Sequence, residues 1–143
     1  MNLFLSSATA FQWKSNTNGD VILKIFTTSR DDYLKALLVL QKKMGNVRSA
    51  DIAQYLGVSR PSVCHAVSKL TARGYINMDE NYFLKFTKNG LTVAEKMLER
   101  YRFFSEQLIK IGVDEKTAQE DACRLEHAIS DESFEKLKNK LNA

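Results

Sequence analysis

Cys123, Glu126 and His127 stand at positions i, i+3 and i+4 of the run Asp121-Ala122-Cys123-Arg124-Leu125-Glu126-His127. On a helix that spacing puts a thiol, a carboxylate and an imidazole on one face, where they can converge on one ion. Three such groups do not close a coordination shell. Asp32, early in a separate helical stretch, is a candidate for a carboxylate from elsewhere. The same spacing also suits a buried cysteine beside an exposed glutamate and histidine, because polar groups so placed are common on helices. Nucleophilic catalysis by Cys123 with His127 lacks an orienting third group and an oxyanion-stabilising loop, and no reading as an enzyme has support.

A second set of residues suits recognition of duplex DNA. In Ser49-Ala50-Asp51-Ile52-Ala53-Gln54-Tyr55-Leu56-Gly57-Val58-Ser59-Arg60-Pro61-Ser62-Val63-Cys64-His65-Ala66-Val67-Ser68-Lys69-Leu70, Ser49 can cap a short helix with Ile52, Ala53 and Leu56 as its apolar face. Gly57 and Val58 then make a tight turn with one buried anchor. Ser59 can cap a second helix, with Pro61 in the first turn, where no intrahelical N–H is lost. This is helix-turn-helix spacing. Val63, Ala66, Val67 and Leu70 face inward, leaving Arg60, Ser62, His65 and Lys69 exposed with Ser59 and Cys64 at the margin. Short or forked polar groups near the helix start can reach base edges, and cations further along meet phosphates. Arg48 and Ser49, opening the preceding helix, complete the candidate DNA-binding set.

The elements around these residues follow from pattern. Ser29 is placed to cap a helix that opens with Asp31 and Asp32, carries Tyr33, Leu34, Leu37, Leu38 and Leu40 at helical spacing, and stops at Gly45. After the second helix of the helix-turn-helix, Tyr75-Ile76 and Tyr82 to Phe86 flank a polar turn at Asp79-Glu80-Asn81, a short wing. Thr87 is placed to cap a long helix with Leu91, Ala94, Met97, Leu98, Tyr101, Phe104, Leu108 and Ile111 on its inner stripe, ending at Gly112. Further helices are expected from about Asp114 to Ala128 and from about Asp131 to Leu141 after Ser130. Residues 1–28 read as an extension of open role, with β-type composition over 21–26. The expected fold is mainly α: a winged helix-turn-helix over 29–88, then a helical metal-binding and dimerisation domain over 89–143.

Composition agrees with this and removes other classes. The 143 residues are 44% hydrophobic and 27% charged, ordinary for a globular chain. No apolar run approaches the roughly 20 residues that span a bilayer, and the N-terminus lacks the charged flank of a signal peptide, so a cytoplasmic protein without membrane contact is expected. Between Lys42 and Tyr75 six cations face Asp51 alone, which suits phosphate contacts. Between Asp114 and Lys138 the acids outnumber the bases by four, which suits cations or solvation.

The chain resembles the metal-dependent repressors typified by the diphtheria toxin repressor and the manganese transport regulator. The resemblance covers about residues 31 to 141. It rests on Asp32-Tyr33-Leu34-Lys35, on Ser49-Ala50-Asp51-Ile52-Ala53 with Leu56-Gly57-Val58-Ser59, on Ile111-Gly112-Val113-Asp114, and above all on the run from Glu120 to Glu132. It implies a homodimer that binds a divalent metal and then double-stranded operator DNA, in the short form without a C-terminal barrel. Carried over by residue, the metal donors are Asp32, Cys123, Glu126 and His127. Where relatives place the ligands of a second site, this chain has Tyr101, Ser105 and Gln119, so one site per subunit is expected, and Lys35 replaces a ligand carboxylate of the manganese branch. A thiolate beside imidazole and carboxylate favours Fe(II), Co(II), Ni(II) or Zn(II) over Mn(II). Fe(II) is therefore the expected ion in the cell, with Mn(II) as the other choice. The competing readings are a winged-helix regulator that has lost metal control or answers to redox or another ligand, a thiol sensor at Cys123 or Cys64, and a helical module that binds protein.

Overall fold

The computed structural model describes residues 30–142, so the strand-like stretch at 21–26 and the Ser29 cap lie outside the described residues. The chain forms two compact units that divide between Ala94 and Glu95. In the first unit, α1 (Arg30–Met44) packs on α2 (Ser49–Leu56) and α3 (Arg60–Ala72), and these two pack on each other. Leu34, Leu37, Val47, Ile52, Val63, Val67 and Leu70 are buried there. The turn between α2 and α3 depends on Gly57, at φ +67°, a left-handed conformation that glycine adopts without a side-chain clash. Its backbone N–H and that of Val58 both donate to Ala53 O. The expected inward stripe of α3 is the one observed, with Ala66 half-buried.

Two expectations shift at helix ends. Helix α2 is capped at Arg48, not Ser49: the Asp51 carboxylate reaches back and accepts from the Arg48 backbone N–H at 2.8 Å, so Ser49 is already inside the first turn. Leu91 and Ile111, placed on the inner stripe of the long helix, are instead exposed, Ile111 by 78%. Ile111 lies past the last helical residue, where periodicity no longer sets direction.

The wing is an antiparallel pair, β1 (Ile76–Met78) with β2 (Leu84–Phe86), in the register Ile76↔Phe86, Asn77↔Lys85 and Met78↔Leu84. Its turn is held by Asp79 Oδ1, which accepts from the backbone N–H groups of Asn81 and Phe83, both at 2.9 Å. Its root is anchored where Leu84 N donates to Val47 O at 2.8 Å.

Helix α4 (Lys88–Lys110) starts on Thr87. The threonine Oγ1 accepts from Gly90 N at 3.1 Å and donates to Gly74 O and Tyr75 O, and the Thr87 N–H also donates to Tyr75 O. The approach is so close that a Cβ on Gly90 would fall 1.8 Å from Tyr75 O. In the second unit, α5 (Glu115–Ala128) is capped by Asp114 and α6 (Asp131–Leu141) by Ser130, each accepting from the backbone N–H three residues on. The core of this unit is aromatic. Phe134 meets Phe103 edge-on at 5.4 Å and Phe104 at 5.9 Å. The fold is thus mainly α, a winged helix-turn-helix followed by a helical segment. Among the described residues, no helix is long and apolar enough to cross a membrane.

Candidate metal centre and DNA-reading surface

Cys123, Glu126 and His127 stand in the last turns of α5, where helical geometry puts positions so spaced on one face. Cys123 is buried and Glu126 completely so, while 32% of the His127 side chain meets solvent. Glu126 Oε1 lies 3.3 Å from His127 Nε2. A carboxylate taken out of water needs a cation, a proton or strong donors to be stable, and it shares this face with a thiol and an imidazole that both ligate transition metals when deprotonated. The donor set therefore fits a divalent transition metal. Asp32 stands in the first unit, half-buried in the opening turn of α1. Its neighbour Asp31 is paired with Arg30 at 3.0 Å. Burial, and then the Asp32 charge, raise the hydroxyl of Tyr33 above the ordinary tyrosine range.

Tyr101, Ser105 and Gln119, where the resemblance would place ligands of a second site, make contacts within their own helices or core. Ser105 is buried and its hydroxyl donates back to Tyr101 O at 2.8 Å and Arg102 O at 3.1 Å, within its own helix. Tyr101 is a buried core side chain, and Gln119 donates to Glu115 one turn earlier.

At the start of α3, Ser59 Oγ accepts from Ser62 N at 3.2 Å and lies 2.7 Å from Ser62 Oγ, so the two hydroxyls are tied together. Arg60, Ser62, Cys64, His65 and Lys69 are all exposed. Arg48, the cap of α2, is also exposed, and its side chain lies against the wing. Its Nε donates to Asn81 O at 3.3 Å and its guanidinium lies 4.4 Å from the Phe83 ring centroid. Ser49 is half-buried.

Sequence reasoning missed three residues here. Lys85 donates to Asn46 and flanks Phe83 on the wing, and Tyr82 projects from the turn, 70% exposed at φ +63°. Alternating strand positions could have marked Lys85. Arg100 is buried in the second unit, and it donates to the backbone of the donor helix itself. Only the absence of a C-terminal glycine after α5 hints at it. Close by, the Asp131 carboxyl is held below the usual carboxylate range by a hydrogen bond from Lys96 and the charges of Lys96 and Arg100.

Comparison with known proteins agrees with this division of labour. Residues 25–82 match the N-terminal DNA-binding domain of the iron-dependent repressors, and residues 87–143 match their metal-binding and dimerisation domain. An HTH-type transcriptional regulator of Methanocaldococcus jannaschii is 34% identical over 112 residues, which cover 77% of this chain and 90% of that protein. The transcriptional regulator MntR of Escherichia coli is 31% identical over 105 residues, covering 73% of this chain and 68% of MntR. Among solved structures, IdeR of T. acidophilum superposes with a TM-score of 0.70 at 25% identity, covering 80% of this chain and 55% of that one. The manganese regulator SloR gives 0.72 at 28% identity, covering 80% and 54%. The chain thus spans about half the length of these solved relatives. With both of the family's domains matched in order and a relative matched over nine-tenths of its length, the chain belongs to the iron-dependent repressor family of metal-dependent transcriptional regulators.

Proposed function

We propose that the chain is a metal-responsive repressor that binds double-stranded operator DNA as a homodimer in the cytoplasm, through one Fe(II) site per subunit. Residues 29–88 read DNA and residues 89–143 carry metal binding and dimerisation. The observation that carries the reading is the buried thiol and carboxylate beside an imidazole on one face of α5. Cys123, Glu126 and His127 would hold the ion, with Asp32 as the fourth donor that the family resemblance supplies. When bound, the ion would supply a dication that neutralises the carboxylates.

The family description names iron and one relative is named a manganese regulator. The thiolate favours iron, because manganese prefers harder oxygen donors. The hydroxyl of Ser105, spent within α4, supports one site rather than two.

On the DNA side, Ser59, Arg60, Ser62 and His65 lie at the start of α3, where base edges are reached, and Lys69 lies further along for phosphate. Arg48 and Ser49 add backbone contacts from the foot of the wing. Because α1 packs on α3, fixing Asp32 biases the recognition helix, and metal shifts a population toward the DNA-competent dimer.

Anaerobic calorimetry with Fe(II), Mn(II), Co(II) and Zn(II) on the native chain and on Cys123→Ala tests this. One equivalent per subunit is expected, lost in the variant. Metal-dependent DNA binding that survives both Cys123→Ala and Glu126→Ala would leave the second reading, a winged-helix regulator without metal control, for which the exposed thiol of Cys64 on α3 is the specific observation.

A further inference from the structure

Helix α5 ends without the left-handed glycine that commonly satisfies the last carbonyls of a helix, since Ile129 is extended at φ −108° and ψ 140°. The missing donors come from α4. Arg100 Nη1 donates to Glu126 O at 3.2 Å and to Ile129 O at 2.7 Å, and Nη2 donates to the Asp131 carboxylate that opens α6. The guanidinium also lies 5.2 Å from the Phe134 ring centroid, and the residue is only 4% exposed. Burying an arginine is costly, and among the described residues Arg100 Nε has no hydrogen-bond partner, so it is the two Nη groups that offset the cost. Here its charge also compensates the negative end of the α5 dipole.

One of the two carbonyls belongs to Glu126 and the next residue is His127. Fixing that carbonyl fixes the backbone from which both side chains leave. We propose that Arg100 is a positioning residue for the metal centre, holding the last turn of α5 so that the Glu126 carboxylate and His127 imidazole are set before a cation arrives. The proposal rests on the metal-binding reading of α5. Outer groups that orient donors commonly govern affinity as strongly as some ligands do. Lysine cannot replace arginine here, because one ammonium lacks the planar fork that serves two carbonyls and a carboxylate together.

Cobalt(II) alone is the probe, added anaerobically to the full chain, with affinity read by competition and geometry by the ligand-field and thiolate charge-transfer absorption. Arg100→Met is expected to lose about ten- to a hundredfold in affinity and to shift or broaden the cobalt bands. Arg100→Lys, which keeps the charge and is the variant to read if Arg100→Met does not fold, is expected to stay weaker than the native chain with altered bands. Lys138→Met breaks the Lys138–Glu99 pair at 2.7 Å in the same unit and is expected to keep native affinity and spectrum. Native affinity and bands in the folded arginine variants overturn the proposal, as does an equal loss in Lys138→Met. A native chain that takes up no cobalt overturns the metal reading itself and this proposal with it, and that outcome is visible before any variant is made.

Discussion

Helix α3 begins on a serine whose hydroxyl accepts from a backbone N–H three residues away, whereas helix α5 ends on a guanidinium 26 residues upstream in the chain. The first device is local and serves a surface that must stay open to a long, charged partner. The second is distant in sequence and serves the turn that carries the proposed metal donors, of which Cys123 and Glu126 are buried. A DNA-reading face needs only a firm helix with its polar groups outside. A buried donor set needs its backbone held by something that survives burial, and an arginine bonded through both of its Nη groups is such a group.

That contrast can be broken or sharpened by substitution. The largest effect is expected in the aromatic core behind the donor helix. Phe134→Ala removes the ring that meets Phe103, Phe104 and Arg100, and about 3 to 5 kcal/mol of stability should go with it. Urea unfolding measures this, and a loss below about 1 kcal/mol would mean that the core does not need the ring. On the exposed side, Arg60→Ala should leave the urea midpoint in place while weakening duplex binding by about 1 to 3 kcal/mol if the side chain reads a base. Fluorescence anisotropy across salt concentrations separates that outcome from a uniform loss with a shallower salt slope, which would make Arg60 a phosphate contact. Ser59→Ala should cost about 1 kcal/mol through the lost cap, read by thermal unfolding.

The smallest effect is electrostatic and belongs to the donor unit. Asp131 has a folded pKa below its unfolded value, so its contribution is fully present above the unfolded value and is lost as pH falls through the folded one. Stability should therefore decline more steeply in acid for the native chain than for Asp131→Asn. Parallel curves would mean that the Lys96 contact persists with the carboxyl protonated. The residue is exposed, so the difference is expected to be small.

What the sequence made legible follows the same line. Caps at Ser59 and Thr87, the helix start after Ser130, the turn at Gly57 and the inward stripe of α3 all obey rules spanning three to four residues. The structure has each of them. The i, i+3, i+4 face of Cys123, Glu126 and His127 was readable for the same reason. Ser49 was misplaced because an aspartate three residues past the true cap competes for the role, and spacing alone does not decide between them. Phe103 was not read as core because a long helix that serves two units buries more than one face. Arg100 was invisible because its partners lie 26 to 31 residues away, and a charged side chain reads as solvated until its neighbours are known.

The contact between Gly90 and Tyr75 has a mechanical meaning. Tyr75 lies three residues past the last residue of the recognition helix, and its carbonyl takes two hydrogen bonds from Thr87 at the root of α4. A methyl group at position 90 would overlap the Tyr75 carbonyl, so the two backbones are in direct contact and only glycine fits between them. Any larger residue there would force the first turn of α4 away from the chain that leaves the recognition helix.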